Sequence, residues 1–219
     1  MSIHFLLPPA SGIPDSGATH VIDKPFSESC VQNRDPILAV LREWFADRST
    51  VLEIGSGTGQ HAAYFGAELR HLVWQTADVP QHHAGIRAWL EDTALPNVLP
   101  PLALDVAQSG WRGGRYDAVF SDNTLHIMSW PEVEKFFEGV GEVLAPGGVL
   151  AVYGPFNTNG TFTSDSNARF DAWLKARDPA SGVRDFEAVD ALARAQGLAL
   201  QRDIAMPANN RTLVWRRTR

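Results

Sequence analysis

Apolar positions along this chain follow two rhythms. Ile37, Leu38, Leu41, Trp44 and Phe45 recur at the three-and-four spacing of one helical face. Just before them, Asp35 and Pro36 supply an N-cap acceptor and a residue suited to the first helical position. Beyond that helix, short apolar runs alternate with amphipathic stretches. The runs predict strands over 50–54, 71–77, 98–104, 116–122 and 147–153, and the stretches predict helices over 59–69, 82–92, 131–145 and 184–196. The last of these stops at Gly197, a natural C-cap. "LALQRDIAM" and "RTLVWRR" predict two closing strands, near enough in the chain to pair as an antiparallel hairpin. Helices alternating with strands require crossover connections and a mainly parallel sheet. The expectation is an α/β fold in one domain over 33–219. Residues 1–32, rich in Pro, Gly and Ser without a sustained period, form an irregular arm and a candidate lid.

Composition narrows the function more than the fold. The 219 residues carry a formal charge of -6, and a nucleic-acid partner ordinarily demands a basic stripe. The three arginines of "TLVWRRTR" are expected as a solvated tail on the last strand. Cys30 is the only cysteine, which excludes an internal disulfide and a cysteine metal cluster and suits a reducing cytoplasm. "MSIHFLLPPASGIPDSG" has no basic n-region, and Pro8 and Pro9 cut its apolar run, so neither a signal peptide nor a membrane span is expected. His82 and His83 are adjacent and face different ways on a helix, and His61 and His71 have no suitably spaced partner, so no metal site is expected.

The chemistry concentrates in "TVLEIGSGTGQHAAYF", where an apolar strand runs into Glu53 and glycine follows at 55, 57 and 59. A glycine loop after the first strand of an open parallel sheet lets the backbone turn sharply and approach a ligand beyond the strand ends. The dinucleotide fingerprint G-x-G-x-x-G would need its third glycine where Gln60 stands. Glu53 would also lie unfavourably close to a pyrophosphate. It suits a ligand with an ammonium group and no phosphate, and S-adenosylmethionine is such a ligand.

"VLEIGSGTGQ" resembles motif I of the class I S-adenosylmethionine-dependent methyltransferases. "ESCVQNRDPILAVLREWF", "EIGSGTGQHAAYF", "WQTADV", "YGPFNTNGTFTSDSNARFD" and "MPANNRTLVW" resemble one small family within that class, the family of methyltransferase-like protein twenty-six, from about Phe26 to the chain end. The resemblance implies a Rossmann-like, mainly parallel seven-stranded sheet with an antiparallel C-terminal hairpin strand and helices on both faces. It implies S-adenosyl-L-methionine as cofactor, held by the loop residues Glu53, Gly55, Ser56, Gly57, Thr58, Gly59, Gln60 and His61. Asp78, with Val79, falls where the class takes the ribose hydroxyls. Asp105 falls where it takes the adenine amino group, with the backbone of Val106 as the adenine N1 donor. Asn33 and Arg34 precede the predicted first helix, where a guanidinium can pair with the carboxylate of the methionine tail.

An activated methyl needs mainly alignment and, for some acceptors, proton removal. "SDNTLHIMSW" places Asn123 near the methionine moiety and His126 as general base or acceptor-orienting group; a histidine bonded only to backbone is the plain alternative. Tyr153, Asn157 and Asn167, in the polar segment after the fifth strand, are candidates for holding the acceptor, Tyr153 also for catalysis. Asn209 and Asn210 can reach the same region, or Asn210 can simply be a turn residue. The expected partner is a small-molecule acceptor methylated on O, N or S, with a monomer or homodimer as the assembly. A nicotinamide-dependent oxidoreductase and a non-catalytic binding module on the same fold are the rival readings.

Overall fold

The computed structural model describes residues 24–108, 110–111 and 114–218. Residues 1–23 of the expected arm lie outside that range. In chain order the elements are α1 (Glu28–Trp44), β1 (Thr50–Ile54), α2 (Gln60–Glu68), β2 (Val73–Asp78), α3 (His83–Thr93), β3 (Val98–Ala103), β4 (Tyr116–Asp122), α4 (Trp130–Val143), β5 (Leu144–Gly154), β6 (Phe156–Asn157), α5 (Asp165–Arg177), β7 (Arg184–Asp185), α6 (Phe186–Ala195), β8 (Leu198–Met206) and β9 (Asn210–Arg217). Seven strands form one sheet in the order β3-β2-β1-β4-β5-β9-β8, while β6 and β7 pair separately. The ladders among β1 to β5 are parallel; β9 runs antiparallel to both β5 and β8.

Alternation along the central strands sends side chains into a core on each face. Leu52, Val119, Leu150 and Trp215 pack with Phe136, Phe137 and Val140 of α4 and Val189 of α6. Their neighbours Val51, Phe120, Ala151 and Val214 pack on the other face with Ile37 and Leu41 of α1 and Phe65 of α2. The strand order reverses between β1 and β4, and the crevice outside the carboxyl ends of these two strands is the topological switch point where ligands bind in open α/β sheets. Among the described residues, no helix is long and apolar enough to cross a membrane.

Two helices differ from the expectation. α1 starts at Glu28, so Asp35 is not its N-cap and Pro36 lies inside it. An interior proline removes a backbone donor and costs about 3 kcal/mol. The packing of Asn33, Ile37, Leu38 and Leu41 opposes that cost, as does an anchor at the helix start, where Ser27 N donates to Gln60 Oε1 at 2.5 Å. The segment after β5 is also not simply a polar loop: Asp165–Arg177 is helical, with Ser164 Oγ accepting from Asn167 N at 3.1 Å. β5 begins at Leu144, where the preceding helix was expected to run to 145. Gly147, at φ +74, lets the chain bulge there, and the β4–β5 register shifts between Tyr116 and Ala118.

Candidate functional site

At the switch point the glycine loop curls back against β2. Gly55 N and Ser56 N both donate to Ala77 O, at 2.9 and 3.1 Å, and Gly57 N donates to Asp78 Oδ2 at 2.7 Å. Gly55 has φ +77, and a Cβ there would stand 2.3 Å from Thr124 Cγ2. A side chain at 55 would therefore fill the crevice as well as strain the backbone. Gly59, at φ +90, serves packing: its Cβ would come within 2.9 Å of Ile86 Cα on α3. Gln60 also points away from the crevice, exchanging hydrogen bonds with the Ser27 backbone at 2.5 and 3.4 Å.

The result is a cavity of about 390 Å³, lined in part by Gly55, Ser56, Gly57, Thr58, Val79 and Val106, with Ser29 and Cys30 of α1 at its edge. Its described acids are Asp78, Asp105, Asp122 and Glu132, against His61 and His82 as the basic side chains. Asp78 is fixed by the backbone and by His82: its Oδ1 accepts from Val79 N at 2.7 Å and pairs with His82 Nδ1 at 2.8 Å. Asp105 Oδ1 accepts from Ala107 N at 3.0 Å, which turns the chain after β3.

Glu53 lies behind this wall and not on it. It is fully buried; Ser56 Oγ donates to its Oε2 at 2.7 Å and Trp74 Nε1 at 3.2 Å, while Oε1 has no partner among the described residues. Burial pushes its pKa from 4.5 to about 7, with the Asp122 charge reinforcing and the Ser56 bond opposing the shift. His61 is buried too, bridging Asp122 Oδ1 at 3.1 Å through Nδ1 and Asn33 Oδ1 at 2.9 Å through Nε2. Burial works against its charge, yet the Asp122 carboxylate holds the imidazole pKa well above the ordinary value.

A second cavity, about 270 Å³, adjoins the first, and Ser29 and Asn123 line both. Asn33, Tyr153 and Asn210 also line it, with Asn210 Nδ2 donating to Tyr153 Oη at 2.9 Å. Asn123 takes φ +54 at the junction, and its N–H donates to Tyr153 O at 2.9 Å, tying the ends of β4 and β5 together.

Other expected site residues stand elsewhere. Arg34 lies over the Tyr64 ring at 4.5 Å, in a separate hollow beside α2 and Trp89. His126 lines neither cavity; it packs edge-on against Phe170, and burial lowers its pKa to about 4, with Asp122 opposing and Arg184 reinforcing. Three asparagines act as struts: Asn157 Nδ2 donates to Val183 O, Asn167 Nδ2 to Asn209 O and Thr163 Oγ1, and Asn209 Nδ2 to Ser166 Oγ. Asp122 was not among the expected residues. Its signal is an acid at the carboxyl end of the strand beside the switch point.

Residues 24–217 match the family described as "Protein of unknown function (DUF938)". The chain belongs to that family. The DUF938 chain is also similar to solved structures. An O-methyltransferase family protein from Burkholderia thailandensis shares 19% identity over 87% of this chain and 58% of its own, with a TM-score of 0.77. An O-methyltransferase family 2 protein from Planctomyces limnophilus, in complex with apigenin, shares 14% over 86% and 57%, with a TM-score of 0.76. PigF with SAH shares 16% over 83% and 54%, with a TM-score of 0.70. At these identities the likeness establishes a Rossmann-like methyltransferase fold for the DUF938 chain, which spans a little over half the length of the structures it matches.

Proposed function

We propose that this protein is an S-adenosylmethionine-dependent methyltransferase acting on a small molecule, and that it belongs with the methyltransferase-like protein twenty-six proteins its motifs resemble. The observation that carries the reading is the acidic wall of the glycine-loop cavity: Asp78, Asp105 and Asp122 around a backbone cradle. A sulfonium and an ammonium gain from those carboxylates, whereas the pyrophosphate of a nicotinamide dinucleotide would be repelled by them. The cofactor's residues fit. Asp78 Oδ2 keeps lone-pair capacity for a ribose hydroxyl, and the half-exposed His82 is free to swing from Oδ1 for the other. Asp105 and the Val106 backbone take the adenine edge. Gly55, Ser56, Gly57 and Thr58 line the cradle beside Asp122 and Asn123, which hold the ammonium end. His61 keeps Asp122 in place.

When bound, S-adenosylmethionine supplies a methyl on a sulfonium: the C–S electron pair stays on sulfur as an acceptor lone pair forms the new bond. The chain contributes alignment, bringing an acceptor in the second cavity up to the junction at Asn123, and excludes water by closing the start of α1 over the first cavity. His126, neutral and buried behind Phe170, serves the packing of this region in our reading. With a single cysteine and so no internal disulfide, a reducing cytoplasm is the site of action this proposal takes.

Calorimetric titration of the protein with S-adenosylmethionine, S-adenosylhomocysteine and NADH tests this. The adenosyl ligands should bind one-to-one. Asp78→Ala should weaken them by about 1.5–3 kcal/mol, roughly ten- to a hundredfold, since hydrogen bonds to a charged acceptor are lost. Binding of NADH alone would overturn the proposal in favour of an oxidoreductase.

A further inference from the structure

The second cavity has walls of one chemical kind. Its polar side chains are Ser29, Gln32, Asn33, Asn123, Tyr153 and Asn210, and Pro207 and Ala208 complete it. None of these carries a charge at neutral pH: burial raises the Tyr153 pKa above its ordinary value, with the Asn210 and Asn33 amides opposing. The charged pair alongside, His61 and Asp122, meets at 3.1 Å on the first cavity and is not part of this lining; Asn123 Nδ2 donates to Asp122 Oδ2 at 3.2 Å, and Asn33 Oδ1 holds His61 Nε2 at 2.9 Å.

The hydrogen-bonding capacity left over is specific. The Tyr153 oxygen accepts from Asn210 Nδ2 and has the Asn33 amide beside it as a second donor, so its own O–H, which donates to no described residue, is a donor for a ligand. The Asn123 and Asn210 carboxamide nitrogens donate within the protein, and their oxygens accept from no described residue. A ligand therefore meets the Tyr153 O–H as donor, the Asn123 and Asn210 carboxamide oxygens as acceptors, and the Ser29 and Gln32 side chains towards the mouth, with no charged side chain on the lining to pair a carboxylate, phosphate or ammonium. A charged group seated against the buried Asn33 and Tyr153 end of the cavity would be desolvated there unpaired, which is strongly disfavoured. The volume, about 270 Å³, lies just below the ~300–1,000 Å³ of sites for drug-sized ligands.

We propose that this cavity binds an uncharged polar acceptor of the cyclic amide or hydroxy-heterocycle class, which offers an acceptor to the Tyr153 O–H and a donor to Asn123 or Asn210. Its role as methyl acceptor rests on the methyltransferase reading; its binding does not. In transfer, a lone pair of the acceptor takes the methyl, sulfur keeps the C–S pair, and the acceptor's proton leaves to water at the mouth, where Gln32 and Ala208 are exposed.

The test uses 2-pyridone and benzamide against benzoate and benzylamine, titrated at millimolar concentration into the full chain with and without S-adenosylhomocysteine. The readout is the set of asparagine side-chain amide NMR signals. The uncharged probes should shift the Asn33, Asn123 and Asn210 signals and bind about tenfold or more tighter than the charged ones. Gln32→Glu, at the exposed rim, and Asn210→Asp should move the preference towards benzylamine. Tighter binding of benzoate or benzylamine by the wild type, or no shift of these amides by either uncharged probe, overturns the proposal. Failure of S-adenosylhomocysteine to bind would count against the methyltransferase reading, while the amide shifts still decide the chemistry of the cavity.

Discussion

Glu53 offers a stability test that needs no ligand. Its carboxyl is fully buried with one oxygen unpartnered, and burial raises its pKa from 4.5 to about 7. The folded state thus binds a proton that the unfolded chain has already released between those values. Stability from this group is fully present below about pH 4.5 and is lost as the pH rises through about 7. Between pH 5 and 8.5 the loss amounts to about 2.5 kcal/mol at ~1.4 kcal/mol per pKa unit. Glu53→Gln removes the titration but keeps an oxygen for Ser56 Oγ and Trp74 Nε1. Its absolute stability depends on how the amide nitrogen is housed, so the informative quantity is the difference from wild type as a function of pH. Urea unfolding of both proteins at intervals from pH 5 to 8.5 should show the variant gaining about 2.5 kcal/mol on the wild type. A difference that stays constant across that range would refute the reasoning, placing the Glu53 pKa near its ordinary value and the charge in contact with water or a cation.

Four other measurements bear on the same structure. His126 titrates with the opposite sign: held near 4 in the fold against 6.5 unfolded, it contributes stability above pH 6.5 that is lost as the pH falls towards 4. His126→Gln should therefore gain about 2 kcal/mol on the wild type between pH 7 and 5 by urea unfolding. Gly59→Ala meets both a positive φ and the α3 backbone at 2.9 Å and should cost about 2–4 kcal/mol in thermal unfolding. Gly57→Ala, at φ +55 with only Gly55 O at an ordinary 4.0 Å contact, should cost only about 1–2 kcal/mol. Gln60→Ala removes both bonds to the Ser27 backbone, and amide hydrogen exchange in the first turn of α1 should quicken by roughly tenfold while the rest of that helix keeps its protection.

The sequence makes legible whatever depends on near neighbours in the chain. The apolar runs, the glycine loop and the acids at the strand ends are local patterns, and Asp78, Asp105, Gly55 and Gly57 meet at one cavity as their spacing suggests. What it conceals are partnerships across long stretches of chain. Pro36 argues for a helix start at that point, and only the packing of α1 and the Ser27–Gln60 anchor show why the helix begins at Glu28. The asparagines after β5 resemble a convergent substrate site, but an amide's role is set by its partner. Asn157 and Asn167 find theirs in Val183 and Asn209, on segments whose approach no local pattern announces. His61, expected at the cofactor, does line that cavity, but both its ring nitrogens are engaged by Asn33 and Asp122, which reach it from two other elements.

Ser29 and Asn123 form a wall common to both cavities, and that has a thermodynamic consequence. A molecule filling one cavity sets the position of residues that a molecule in the other must touch, so the two binding equilibria share a coupling free energy. By linkage, the factor by which the first occupant changes the affinity of the second equals the factor by which the second changes that of the first, whichever arrives earlier.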